Sequence, residues 1–317
     1  MSVLKRVNPF LKTNNDTGFG TNVSSYGGRF INRDGSYNLK KTGISFWDRF
    51  SLFHSMLNMP LWKFASVIIL FFLLINLLFT GLYYWLGAGG FQGIIGGNAW
   101  QLFKELYFFS TETFTTVGYG RVNPTGGVVN LVAAIEAMSG FLSFAVATGL
   151  IYGRFAKPKP HIAFSDHALV APFQEKKALM FRIASYKDNH NLSDAEIKVN
   201  LALQVAENEK MSYKFYELPL ERSKVDTLMM NWTVVHPIDE NSPLLGLGEE
   251  DYRAADVEVY VTIKGFDDVY STIVIQRTSY TFDEIIFDAK FVPMYHESED
   301  GKTTILELDK LSSFVRL

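Results

Sequence analysis

Cysteine is absent from this 317-residue chain, which excludes a disulfide framework, a thiolate metal site and a thiol nucleophile. No complete Gly-x4-Gly-Lys-Ser/Thr phosphate loop occurs, and no nucleophile, base and orienting residue can be assembled, so neither enzymatic activity nor a cofactor is expected. His161, His167 and His236 lack metal-ligand spacing, and ordinary hydrogen bonding is their expected role. A net charge of −3 without a concentrated basic face gives no argument for nucleic acid. Residues 1–41 lack the apolar central run of a secretory signal. No low-complexity tract and no duplicated unit is present. Charge itself is scarce in one region: between residues 64 and 153 it is confined to Lys104, Glu105, Glu112, Arg121 and Glu136.

Two long apolar runs fill that region. Residues 64–86 carry no charge, and about 20 apolar residues suffice to cross a bilayer. Trp62 and Lys63 flank one end and Tyr83, Tyr84 and Trp85 the other, as interfacial anchors do. A second run over residues 123–153 is interrupted only by Glu136. Lys40, Lys41, Arg49 and Lys63 precede the first run and Arg154, Lys157 and Lys159 follow the second, so both termini are expected to be cytoplasmic. The predicted order is a cytoplasmic segment over 1–45, an amphipathic interfacial helix over 46–60, and a membrane domain over 61–157. Within that domain the outer helix spans 61–86, a short re-entrant helix 100–115 and the inner helix 123–155. Residues 158–317 change to short alternating segments over 178–185, 197–205, 256–262, 269–275, 287–292 and 303–308, the pattern of an antiparallel β-sandwich.

Between the apolar runs lies Thr116-Val117-Gly118-Tyr119-Gly120. A potassium filter replaces the ion's hydration shell with backbone carbonyls, so its residues must turn those carbonyls inward around a narrow axis. Gly118 and Gly120 permit this because glycine reaches positive φ at little cost. Thr116 can add a hydroxyl, while Val117 and Tyr119 can pack outward. The helix ahead of the motif would aim its carbonyl end at the ion path and stabilise a cation there. One loop cannot surround an ion, so a single copy requires partner chains to close the ring. A transporter subunit, which would carry diverged pore repeats, and a membrane-anchored ligand-binding module, which has no use for this motif, are the competing readings.

Further strings accompany the filter: RDGSYN at 33–38, ETFTTVGYG at 112–120, AKPKP at 156–160, LMFRIA at 179–184, WTVVHPIDENSPL at 232–244 and YTFDEIIF at 280–287. Together they resemble the inward-rectifier potassium channel family, in its prokaryotic branch. The resemblance implies a homotetramer in a bacterial inner membrane, K+ as permeant ion, a slide helix over 46–60 and an immunoglobulin-like cytoplasmic sandwich. It places Phe144, Thr148 and Tyr152 toward the ion path, in line with Gly140, with Tyr152 as the constriction. Phe144 stands where strongly rectifying relatives carry an acidic residue, which implies weak block by Mg2+ or polyamines. Glu112 would brace the filter, with Arg121 its nearest partner in sequence. Gly140 and Gly149 are hinge candidates, close helix packing being the alternative for Gly140. Trp62, Lys63, Arg154, Lys157 and Lys159 are candidates for anionic lipid or phosphoinositide head groups, topology alone being the plainer account of the basic residues. Glu136 needs a partner or a proton, and the sequence does not choose.

Overall fold

The computed structural model describes residues 13–14, 29–45, 48, 50–188, 190–207 and 210–317. Phe46, Trp47 and Arg49 of the expected slide helix lie outside this set. The chain forms two compact units: Thr42–Lys157, and a second that joins the residues through Lys41 to Pro158–Leu317.

In the first unit, Ser51 accepts a hydrogen bond from the His54 amide and opens helix α1, Leu52–Asn58. Pro60 follows, and α2 runs Leu61–Leu86 until Gly87, at φ 83°, takes the left-handed turn that ends it. Strand β1, Phe91–Gln92, pairs with β2, Asn123–Pro124, across the intervening helix α3, Ala99–Phe114. A reciprocal Asn98–Gln101 capping box starts α3. Helix α4 spans Gly127–Phe155. It starts four residues later than expected, because Asn123–Pro124 pairs as a strand and Gly126 is the cap. Both α2 and α4 are long and apolar enough to cross a membrane. Val129, Ala133, Glu136 and Gly140 form the buried stripe of α4, facing Leu106, Phe109, Ser110 and Phe114 of α3.

The second unit is a two-sheet sandwich. Its strands are β3 (Ile162–Phe164), β4 (Ala168–Phe173), β5 (Lys176–Ser185), β6 (Leu192–Glu207), β7 (Lys210–Glu217), β8 (Lys224–Leu228) and β9 (Asn231–Ile238). After a short helix α5 (Glu249–Ala254) come β10 (Glu258–Asp267), β11 (Thr272–Thr281), β12 (Ile285–Phe287), β13 (Ala289–Phe291), β14 (Tyr295–Glu297), β15 (Thr304–Leu306) and β16 (Phe314–Arg316). One sheet has the order β11-β10-β6-β7, with β8 extending the β7 edge of β6. The other has the order β12-β4-β5-β3, with β9 on the opposite edge of β5. The β12–β4 pair is parallel, which corrects the expectation of a wholly antiparallel sandwich. Ile197, Val199, Leu201 and Leu203 of β6 and Val259, Val261 and Ile263 of β10 alternate into a core shared with Leu179, Phe181 and Ile183 of β5.

Residues 29–31 pack on this unit. Phe30 and Ile31 are buried against Ala202, Tyr213, Phe215 and Tyr260, on the face of the β6–β10 sheet away from the core. Arg29 pairs with Glu284 at 2.6 Å, and the Phe30 amide donates to the Glu258 carboxylate. The RDGSYN string makes a tight turn in which Gly35 adopts φ 82°, and a Cβ there would lie 2.7 Å from the Arg277 carbonyl oxygen.

Candidate functional site: the pore loop and its supports

Helix α3 stops at Phe114 because the following amides fold back on its last turn. The Thr115 amide donates to Thr111, Thr116 to Thr113, and Val117 to the Glu112 carbonyl oxygen at 2.9 Å. Gly118 shares that same oxygen at 3.3 Å. The carbonyl end of α3 is thus partly engaged in holding the loop.

Along the motif, positive φ alternates: 58° at Thr116, 57° at Gly118 and 79° at Gly120, with Val117 and Tyr119 between them. Such alternation of hand brings successive main-chain groups to one side of the chain. For the glycines this conformation is cheap, but for a β-branched threonine it costs about 1–2 kcal/mol. Strain of this kind persists where surrounding structure imposes it, characteristically at functional sites. Nothing in the residue types announced it at Thr116. Beyond the motif, the Asn123 side chain donates to the Gly120 carbonyl at 2.7 Å and Val122 is buried, which anchors the far end.

In the single chain, residues 115–121 are exposed, Val117 at 53% and Tyr119 at 79%. Irregular backbone at membrane depth is tolerated only when buried in protein or lining water. Among the described residues, the side chains of Val117 and Tyr119 are left largely open to solvent.

The supports differ from the sequence reading. Arg121 pairs with Glu105, two turns earlier on α3 than Glu112, at 2.5 Å. Among the described residues the Glu112 carboxylate has no ion-pair partner, so the Glu112–Arg121 pairing is corrected to Glu105–Arg121. Glu136 is fully buried, accepting from the Tyr83 hydroxyl at 2.5 Å and from the Ser110 hydroxyl at 2.5 Å. Neither partner was legible: one lies 53 residues away, the other 26.

On α4, Gly140 is buried against the end of α3, where a Cβ would fall 1.9 Å from the Phe114 carbonyl oxygen. Close packing accounts for this glycine, and it does not share the open face of Phe144 and Tyr152, exposed at 74% and 73%. Thr148 is also exposed and its hydroxyl bonds the Phe144 carbonyl. Gly149 has nothing within 4 Å of an added Cβ and lies inside an unbroken helix.

Near the end of α4, Arg154 donates to the carbonyl oxygens of Met56 at 2.7 Å and Met59 at 2.8 Å, and lies over the Phe64 ring at 4.7 Å. Its guanidinium thus caps the C-terminal end of α1, where orphan carbonyls and the helix dipole favour a cation. Arg154, a candidate for a lipid head group, thus also holds α1 through its main chain. Lys157 bonds the Asn58 side chain at 2.5 Å, while Lys63 lies over the exposed Trp62 ring at 5.4 Å.

In the second unit, His236 is buried between the Pro219 carbonyl and the Ser242 hydroxyl, and burial holds its imidazole below the usual histidine range. His161 lies against His190 and is shifted down by burial and by that neighbour. No cluster of three or more metal-ligating side chains occurs among the described residues.

Residues 162–315 match the family described as Inward rectifier potassium channel C-terminal domain, and residues 64–157 match Ion channel. The chain is 32% identical over 281 residues to Inward rectifier potassium channel Kirbac3.1 of Paramagnetospirillum magnetotacticum, covering 87% of this chain and 92% of that protein. It is 25% identical to human Inward rectifier potassium channel 4, covering 75% of this chain and 61% of the human protein. With ATP-sensitive inward rectifier potassium channel 12 of Gallus gallus it shares 24% identity, over 86% of this chain and 68% of the relative. Two matched regions in the order membrane pore then cytoplasmic domain, and a relative aligned over nearly its whole length, place the chain in the inward rectifier potassium channel family.

Proposed function

We propose that the protein is a potassium-selective channel of inward-rectifier type, conducting K+ passively through a pore closed by four copies of the chain. The observation that carries this reading is the TVGYG loop itself, hung by its amides on α3, alternating in backbone hand, and exposed unless other copies surround it. Thr116 to Gly120 would supply the ion-coordinating oxygens, with the Glu105–Arg121 pair bracing the loop from α3. Glu112 holds the filter through its backbone carbonyl, which leaves its carboxylate for a neighbouring copy. The exposed side chains of Phe144, Thr148 and Tyr152 suit the wall of the ion path, with Tyr152 near its cytoplasmic end as the constriction. Gly149, unpacked, is the better of the two hinge candidates. Phe144 offers no charge to internal Mg2+ or polyamines, which favours weak block.

Anionic lipid is proposed to bias the gate through Trp62, Lys63, Lys157 and Lys159, with Arg154 acting from behind as the fastener of α1. A bacterial inner membrane with both termini cytoplasmic fits the distribution of basic residues. No enzymatic step and no cofactor belong to this reading.

The test is flux into liposomes carrying the purified protein. Rubidium and potassium are expected to pass, sodium to be largely excluded, and barium to block. Gly118→Ala should abolish selective conduction in an assembled tetramer, because alanine opposes the φ of 57°. Unchanged selectivity in that variant would refute the filter assignment.

A further inference from the structure

The buried carboxylate of Glu136 lies where three helices meet. Tyr83 comes from α2, Ser110 from α3 and Glu136 from α4, and all three are fully buried. The Ser110 hydroxyl also lies 3.2 Å from both the main-chain and side-chain oxygens of Asn76, another fully buried residue of α2. A carboxylate in this setting is costly unless every oxygen is engaged, and here each takes one hydroxyl.

Its position relative to the filter gives the cluster a further role. Ser110 is two residues before Glu112, whose carbonyl oxygen receives the Val117 and Gly118 amides. One turn along each helix the pattern repeats, with Gly140 of α4 against the Phe114 carbonyl of α3. Residues 136 and 140 therefore meet residues 110 and 114 in step, a hydrogen bond at one turn and a backbone contact at the next. Helix α3 cannot slide or rotate against α4 without breaking one of them, and the filter amides move with α3.

We infer that Glu136, through Ser110 and Tyr83, is a positioning residue of the selectivity filter, registering the helix that carries it against the two membrane-spanning helices. This inference rests on the channel reading. The carboxylate does not touch the ion; it restricts the geometries available to the loop.

The experiment uses the full chain in liposomes, reading sodium-to-rubidium flux ratio beside tetramer assembly and thermal stability in detergent. Barium-sensitive rubidium flux in the unaltered protein tests the channel reading on its own, and its absence would sink that reading before any variant is made. With that flux present, Ser110→Ala and Tyr83→Phe, each lacking one hydroxyl, are expected to raise the sodium-to-rubidium ratio about fivefold while still assembling. Glu136→Gln, which can bond both hydroxyls, should stay near the unaltered ratio, whereas Glu136→Leu should lose it. A purely structural carboxylate would lower the melting temperature in all variants and leave the ratio unmoved, and that result would overturn the inference. If Glu136→Leu fails to assemble, the two hydroxyl deletions decide the matter.

Discussion

Gly140 and Phe144 are four residues apart on α4 and do different work. An alanine at 140 would drive its Cβ into the Phe114 carbonyl oxygen, which is backbone and cannot rotate away. Gly140→Ala should therefore destabilise the assembled protein by about 2 kcal/mol or more, in the range of overpacked cores, read as a lower melting temperature in detergent. Phe144, by contrast, is open. Phe144→Asp should place a ring of four carboxylates in the proposed cavity and strengthen voltage-dependent block by internal polyamines. Unaltered block with potassium conduction intact would show that 144 faces elsewhere. His236 supplies a pH test outside the membrane. Its folded imidazole is held below the unfolded value of 6.5, so it adds nothing to instability above that value, and stability falls as the unfolded chain takes up the proton below it. Melting temperature should drop between about pH 7 and 5.5, and His236→Gln should flatten the drop. At this scale the sequence was most legible where chemistry demands a residue type, as at Gly118 and Gly120. It was least legible where a partner is remote: Glu136 was visibly in need of one, but Tyr83 and Ser110 carry no mark of the role.

The elements repeat this division. Apolar length made α2 and α4 visible, and Asn98 with Gln101 marks the start of α3. The start of α4 was misplaced because residues 123–126 carry no charge to mark an end, while Asn123 and Pro124 pair as a strand with Gln92 and Phe91. Several sandwich strands, among them β7, β8 and β9, were not among the expected segments, although β7 alternates Met211, Tyr213 and Phe215 with polar residues. Helix α1 depends on an interaction no local pattern contains, the capping of its last carbonyls by Arg154 from α4. A lysine has one nitrogen where arginine spreads donors across a fork. Arg154→Lys should thus free the end of α1, seen as faster amide exchange over residues 52–59, and should change rubidium flux even in membranes without anionic lipid. Neutralising Lys157 and Lys159 should instead alter the dependence on anionic lipid and leave α1 protected. An Arg154→Lys variant whose only defect is in lipid dose-response would restore the lipid-ligand reading for that residue.

For the whole molecule, the attachment of residues 29–38 to the sandwich matters most. Glu284 fastens it: burial alone would raise this carboxyl, but the bonds from Arg29, the Thr281 amide and Arg33 hold it below the usual glutamate range. A depressed carboxylate stabilises above its unfolded pKa and loses that contribution as pH falls through the folded one. Glu258 works in the opposite sense, since burial raises it despite bonds from Tyr260 and the Phe30 amide. Amide exchange over residues 29–38 should therefore accelerate in acid through Glu284, and Glu284→Gln should be weakly protected already at neutral pH. Both matched families were foreseeable from motifs, yet this closure was not, because RDGSYN shows a turn without showing what the turn rests on. Its consequence concerns the order of synthesis. A ribosome completes residues 29–38 and inserts both membrane helices before it makes β10 and β11, against which Phe30 and Arg29 must settle. The membrane unit is thus an insertion inside the sandwich unit, and residues 29–38 have to wait for their dock. A fragment beginning at Pro158 would leave Tyr213, Phe215 and Tyr260 uncovered, and should aggregate unless a peptide spanning 29–41 is supplied in trans.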